Sequence, residues 1–200
     1  MPRIVDIIDK SKYAKLIYLD DNSFFKISNK GFYKYKLNKT GNLDNFDEIV
    51  QYFIYPAIKY KLASLLAKKD YSSNELYKKL YIYGYSSNFV KPVINKFIYN
   101  GYIDDRNYCE NLIEMYSKRY GYYKIKEKLY NKGIPTEIID NCLSEYEADN
   151  EKTMIGILDS INFNNLDYYK KRTKAFNKLI YRGFQSDEIN DILNKYLSTD

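Results

Sequence analysis

Three glycines constrain what this chain can fold into more than any other feature of it. Gly84, Gly133 and Gly183 stand 49 and 50 residues apart, and their surroundings match. Four residues before each is a leucine, Leu80, Leu129 or Leu179; six after is Val90, Ile139 or Ile189; ten after is Ile94, Leu143 or Leu193. Self-similarity at a fixed period of this length marks a repeat architecture. Directly after each glycine comes an apolar residue, Tyr85, Ile134 or Phe184. That pairing signals a helix closed by a left-handed glycine whose successor packs back on the last turn. The next segments open with Ser86-Ser87, Pro135-Thr136 and Ser186-Asp187, which supply N-terminal hydrogen bonds or a preset φ. Each repeat therefore contains a helix–turn–helix pair.

Apolar spacing predicts a third helix before each pair, over residues 47–69, 105–119 and 149–159. The last is followed by an Asn-rich break at Asn162, Asn164 and Asn165. The unit is three helices used three times, in residues 47–100, 104–148 and 149–198. Ser72 with Glu75 fits a capping box, and Asp104 fits an N-cap. Asp104-Asp105 also admits a metal reading, but a metal needs several converging oxygens, and capping is the better account. Residues 1–44 differ: Arg3-Ile-Val-Asp-Ile-Ile, Lys15-Leu-Ile-Tyr-Leu and Phe24-Phe-Lys-Ile are β-rich, with a turn at Asp20-Asp-Asn-Ser. A small β hairpin or meander is expected there. Only 8 Gly and 4 Pro occur in 200 residues, half the roughly 12 % of an average protein, too few for a turn-rich β sandwich. The expected fold is mainly α, with three tandem three-helix repeats in a curved, elongated array behind a small β-rich extension.

Composition also removes whole classes of chemistry. The chain has no histidine, which excludes His-dependent triads and His-ligated zinc. Cys109 and Cys142 are too few for a cysteine zinc site and are not spaced as a Cys-x-x-Cys redox pair. They read as buried, reduced thiols of a cytosolic protein. The N-terminal stretch carries Asp6 and Asp9 where a signal peptide needs an unbroken apolar run. The most apolar run, residues 49–58, contains Gln51 and Pro56 and falls well short of the roughly 20 residues that cross a bilayer. No Walker lysine motif or nucleotide-binding glycine loop is present. Asp104, Asp105 and Glu110 are the least implausible catalytic cluster, and their spacing suits caps and solvent better. A non-catalytic protein without cofactor or metal is expected.

The formal charge is +6, distributed as +6 over residues 1–69, +2 over 70–142 and −2 over 143–200. Aligning the repeats on their glycines also aligns cations. Five before each stands Lys79, Lys128 or Lys178; nine before, Lys124 or Lys174; one before, Lys132 or Arg182. Steps of four keep such residues on one helical face, so Lys124, Lys128 and Lys132 form one stripe and Lys174, Lys178 and Arg182 another. Lysines cover many solvated faces, yet recurrence at matched positions favours a periodic acidic partner: nucleic acid, a nucleoprotein filament or an acidic protein groove. Tyr122, Tyr123, Tyr168 and Tyr169 flank the stripes. Core packing or the tyrosine-rich composition (25 Tyr) accounts for them more readily than stacking on bases.

Four stretches carry a family resemblance: Ser73-Asn-Glu-Leu-Tyr-Lys-Lys-Leu-Tyr-Ile-Tyr-Gly, Gly101-Tyr-Ile-Asp-Asp-Arg-Asn-Tyr, Tyr120-Gly-Tyr-Tyr-Lys-Ile-Lys-Glu-Lys-Leu-Tyr-Asn-Lys-Gly-Ile, and Tyr181-Arg-Gly-Phe with Ile189 after it. In order and spacing, from about residue 63 to 197, the chain resembles RecX, the bacterial regulator of the RecA recombinase. Cys109 stands where that pattern usually has Ala, and the third repeat is the most degenerate. The resemblance implies a regulator that binds the RecA filament on single-stranded DNA; the reduced cysteines, the short apolar runs and the lack of a zipper-like helix add the expectation of a cytoplasmic monomer without a membrane partner. It would modulate, and most often inhibit, recombinase, ATPase and coprotease activity in DNA repair and the SOS response. Lys79, Lys124, Lys128, Lys132, Lys174, Lys178 and Arg182 are the expected contacts, on the repeat argument alone. The alternative is an autonomous helical-repeat protein binding single-stranded DNA or RNA.

Overall fold

Alternation of apolar and polar residues in the N-terminal segment produces a sheet. In the computed structural model, which describes residues 1–37 and 42–198, β1 (Ile4–Ser11), β2 (Ala14–Leu19) and β3 (Phe24–Ser28) form an antiparallel meander in the order β1-β2-β3. Residues 38–41 of the expected β-rich extension lie outside the described residues. Ile17, Leu19, Phe25 and Ile27 are buried, and Ile17 lies opposite Phe25 in register. Asn22 takes φ 62° in the β2–β3 turn, where the Asp21 carboxylate accepts from the Ser23 N–H at 2.9 Å. A short helix not foreseen from the sequence, α1 (Asn29–Lys34), follows, capped by Ser28. Its Gly31 is squeezed between Phe53 and Ile27, where a Cβ would come within 2.7 Å of the Phe53 ring.

The single helix expected over residues 47–69 is instead three pieces. They are α2 (Phe46–Ile49), a π-helical turn (Val50–Ile54) and α3 (Tyr55–Leu66). The cause is Pro56, which has no N–H to donate and whose ring collides with the carbonyl four residues back, so the backbone widens just before it. The Ser72–Glu75 capping box forms as expected: the Glu75 N–H donates to Ser72 Oγ at 3.0 Å, and the Ser72 N–H to the Glu75 carboxylate at 3.2 Å. It opens α4 (Ser73–Tyr83), which is followed by α5 (Ser87–Tyr99).

The described chain falls into two compact units, Met1–Asp104 and Asp105–Asp200. The second holds α6 (Asp105–Ser117), α7 (Tyr122–Asn131), α8 (Thr136–Glu145), α9 (Asn150–Asp159), α10 (Tyr168–Tyr181) and α11 (Ser186–Tyr196). Its helices α6–α8 and α9–α11 each close around a core of their own. Asp104 directly precedes α6, the position of an N-cap.

The repeat alignment predicts the packing residue by residue. All three leucines before the glycines are fully buried, and the apolar residues one, six and ten places after them are buried too. Gly84, Gly133 and Gly183 take φ of 118°, 73° and 85°. Behind each, the next N–H reaches back to the leucine carbonyl: Tyr85 to Leu80 at 3.1 Å, Ile134 to Leu129 at 3.4 Å, Phe184 to Leu179 at 3.3 Å. These are the long-range bonds of the Schellman motif, which an L-residue could make only with strain. Two caps depart from expectation: Ser86 holds the N-cap position of α5 without a side-chain capping hydrogen bond, and α11 takes a different cap residue. Helix α11 is capped by Gln185 rather than Ser186, because Gln185 is the extended residue and its N–H engages the Glu188 carboxylate at 3.3 Å.

Candidate functional site

Three of the seven expected contact residues converge where the second repeat meets the third. The Gly121 N–H donates to the Arg182 carbonyl at 2.9 Å, and the Tyr123 N–H to the Gly183 carbonyl at 3.1 Å. Backbone thus lies against backbone, and only glycine fits: a Cβ on Gly183 would come within 2.3 Å of the Lys124 nitrogen, and one on Gly121 within 2.6 Å of the Gly183 oxygen. Around this joint, Lys128 Nζ sits 4.5 Å from the centre of the Tyr120 ring and the Arg182 guanidinium 5.4 Å from it. Arg182 also donates to the Arg119 carbonyl at 3.0 Å. Lys124 pairs with Glu127 at 2.7 Å, which raises its pKa, and lies 5.7 Å from the Tyr181 ring. Lys124 and Arg182 therefore reach across the joint as well as lining its surface, while Lys128 packs on Tyr120 from within the second repeat.

The remaining four are placed differently. Lys132 is the C-cap residue of α7 and is half-buried. Lys174 is exposed and donates to the Asn162 carbonyl at 2.8 Å, tying the Asn-rich break to α10. Lys178 is exposed on α10. Lys79 is exposed on α4 in the other unit, 5.0 Å from the Tyr71 ring. Neighbouring cations are absorbed by structure: Lys126 pairs with Asp140 at 2.6 Å, and Arg172 reaches Asn190 and Asn194 at 3.0 and 2.9 Å. Arg106 bridges Glu110 and Glu145, whose charges hold its guanidinium more firmly protonated.

The tyrosine reading needs correction. Tyr122, Tyr123, Tyr168 and Tyr169 are not core residues; all four are exposed, and Tyr169 retains 80 % of its surface. They form the first two residues of α7 and of α10, where side chains project away from the helix body toward solvent. Each pair is edge-to-face, with centroids 5.4 and 5.9 Å apart. The sequence reading also missed Tyr120 as the ring shared by two cations. The available signal was Gly121 beside it, a glycine outside the three-fold pattern.

The cysteines are buried and unbonded, facing each other inside the core of α6–α8. Burial, with Cys142 adding to it, pushes the Cys109 thiol up to about 12, so it is not a nucleophile at neutral pH. Among the described residues, no helix is long and apolar enough to cross a membrane.

Comparison with known proteins agrees with this architecture. Residues 104–143, the α6–α8 repeat, match the family described as RecX, second three-helix domain. Regulatory protein RecX of Clostridium acetobutylicum is 28 % identical over 198 residues, covering 94 % of this chain and 92 % of that protein. Regulatory protein RecX of Clostridioides difficile is 30 % identical over 197 residues, covering 92 % and 90 %. The fold is shared with a crystal structure of regulatory protein RecX (TM-score 0.65, 19 % identity, 98 % and 100 % coverage) and with that of RecX from Lactobacillus salivarius (TM-score 0.65, 21 % identity, 71 % and 96 %). A helical repeat that aligns end to end with regulatory proteins at this identity is no chance likeness, and the chain belongs to the RecX family of regulatory proteins.

Proposed function

We propose that this protein binds the filament formed by RecA on single-stranded DNA in the cytoplasm, as a monomer, and lowers its ATP turnover and with it recombinase and coprotease activity. The reading rests on family membership, and one structural observation supports it most. Cations recur at the same place before each repeat glycine, and Lys79 and Lys178, two of the three at the most regular position, are exposed. A helical array offering a positive charge once per repeat suits a partner that is itself periodic and acidic. Lys79, Lys124, Lys128, Lys132, Lys174, Lys178 and Arg182 are the proposed contacts. Of these, Lys124, Lys128 and Arg182 would act from the joint of the second and third repeats, and Lys79 and Lys178 from exposed helix faces.

The test is ATP hydrolysis by RecA on single-stranded DNA as this protein is titrated from substoichiometric to equal amounts. Suppression is expected, and the Lys79→Glu/Lys178→Glu protein should need at least tenfold more for the same effect, with unchanged helical content. No suppression by the unmodified protein overturns the function. Unchanged suppression by the double variant overturns the assignment of the basic positions.

A further inference from the structure

The chain has only two cysteines in 200 residues, and the fold sets them face to face. Cys109 belongs to α6 and Cys142 to α8, with the whole of α7 between them in sequence. Arg106, near the start of α6, bridges to Glu145, the last residue of α8, so the two helices pack antiparallel. Cys109 lies three residues after Arg106 and Cys142 three before Glu145, and the register that joins the ion pair therefore also opposes the thiols. Both are buried and unbonded, and an S–H···S contact links them, with Cys109 donating. A buried core position needs only an apolar side chain of the right size. Two nucleophilic atoms in contact across a helix pair are more than packing requires.

Their place along the helices is the second observation. Cys142 stands in the last turn of α8, and Cys109 one turn into α6, so the pair sits at one end of the repeat. Helix ends open locally at far lower cost than helix middles. The groups beside the sulfurs at that end are charged: Arg106 and Glu110 act on both thiols, and Glu145 on Cys142. Arg106 bridges the two glutamates, and all three keep about half of their side-chain surface in water. Exposed ion pairs contribute little to stability, so this cover parts without unfolding the repeat. Sulfurs already in contact reach bonding distance by side-chain rotation and a small approach of the helices. The bond would tie α6 directly to α8 and enclose α7 in the loop. Closing a loop of that kind stabilises chiefly by restricting the unfolded chain.

We propose that Cys109 and Cys142 are a redox site: under a hydroperoxide they close into a reversible intramolecular disulfide that clamps the start of α6 to the end of α8. The inference goes beyond the filament reading and does not depend on it. Opening of the helix ends wets Cys142, whose thiolate attacks one peroxide oxygen; the O–O bond breaks, a sulfenic acid forms, and the departing hydroxide takes up the thiol proton as water. The Cys109 sulfur then attacks the sulfenic sulfur, the S–S bond forms as the S–O bond breaks, and a second water leaves with the Cys109 proton. Two thiols and one hydrogen peroxide thus give one disulfide and two waters, with sulfur oxidised and peroxide oxygen reduced. A thiol reductant reverses the step. The experiment exposes the full chain to hydrogen peroxide at neutral pH, removes the peroxide with catalase, alkylates in urea and weighs the intact protein. A monomer lighter by two hydrogens, unalkylated and restored by dithiothreitol, is expected, with one cross-linked peptide joining residues 109 and 142. Its rate of formation should rise with urea at less than a third of the slope of global unfolding, since local opening exposes little surface. The oxidised protein should melt roughly 5 °C or more above the reduced one. Cys142→Ala should leave Cys109 alkylatable after the same treatment. Oxygen added to one sulfur with the other still free, a cross-link between two molecules, thiols untouched by peroxide, or a urea slope equal to that of global unfolding would each overturn the redox site. A lower melting temperature on oxidation overturns the clamp, and rapid loss of the Cys109 thiol in Cys142→Ala overturns the order of attack.

Discussion

Gly84 and Gly183 close equivalent helices with the same hydrogen bonds, yet they face different neighbours. At Gly84 the turn is covered by the sheet: the Ser86 N–H donates to the Phe24 carbonyl at 2.9 Å, and a Cβ would come within 3.0 Å of Lys26 Cβ and 3.1 Å of Leu16 Cδ1. At Gly183 it is covered by the first turn of α7, and a Cβ would meet backbone at 2.3 Å. The residue before each glycine is inverted as well. Tyr83 is a ring approached by Lys26 and Lys61 at 3.9 and 4.4 Å, whereas Arg182 is itself a cation over a ring. The local motif is fixed by the glycine, while the neighbour is free to be a strand or another repeat. A repeat protein can thus grow a sheet on one of its turns without altering the turn.

This contrast makes graded predictions. Gly183→Ala should be the most damaging, since left-handed strain of ~1–2 kcal/mol adds to forced displacement of the α7 backbone, about 4 kcal/mol in all by urea unfolding. Gly84→Ala carries the same strain, but its Cβ meets side chains that can shift, and about 2 kcal/mol is expected. Equal losses would show that the joint at Gly183 yields as readily as side chains do.

Alkaline pH should separate the units next. Burial raises the Cys109 thiol of the second unit from an ordinary value of 9.0 to about 12. The unfolded chain then gives up that proton first, so its stabilisation is complete below about pH 9 and fades as pH rises toward 12. In the first unit burial raises the Tyr85 phenol above its ordinary 10.0, and the same reasoning starts its loss about one pH unit later. Alkylation of Cys109 and Cys142 should be slow in the folded protein and accelerate above pH 9 before amide hydrogen exchange speeds up in α4 and α5 around Tyr85. If exchange in α4 and α5 accelerates first, the first unit is the weaker of the two in alkali. The smallest effect belongs to the cap. Ser72→Ala should cost about 1 kcal/mol, detectable as a shift in melting temperature.

Much of the fold was legible because the signals were local and repeated. A leucine, a left-handed glycine and an apolar successor within six residues dictate a helix end whatever surrounds them, and three copies of the pattern gave twelve buried positions. The π turn before Pro56 and the cap at Gln185 were less legible, since both depend on which of several allowed hydrogen bonds the backbone takes. For the basic positions, spacing placed Lys124, Lys128 and Lys132 on one face but could not show that Lys128 lies against Tyr120. Tyr122 and Tyr169 could not be sorted into core or surface, because tyrosine is apolar enough for either and the helix starts were known only to within a few residues.

By itself the sequence determined the three-helix unit, its period, its buried faces and the family, because each follows from residue type at short range. Only the tertiary structure decided which turn abuts which element, why Gly121 and Gly183 must both lack side chains, and which cations are spent on holding the joint. Those outcomes depend on residues some 60 positions apart, such as Arg119 and Arg182. Contact between such distant residues is set by how whole helices pack, a property no local pattern carries.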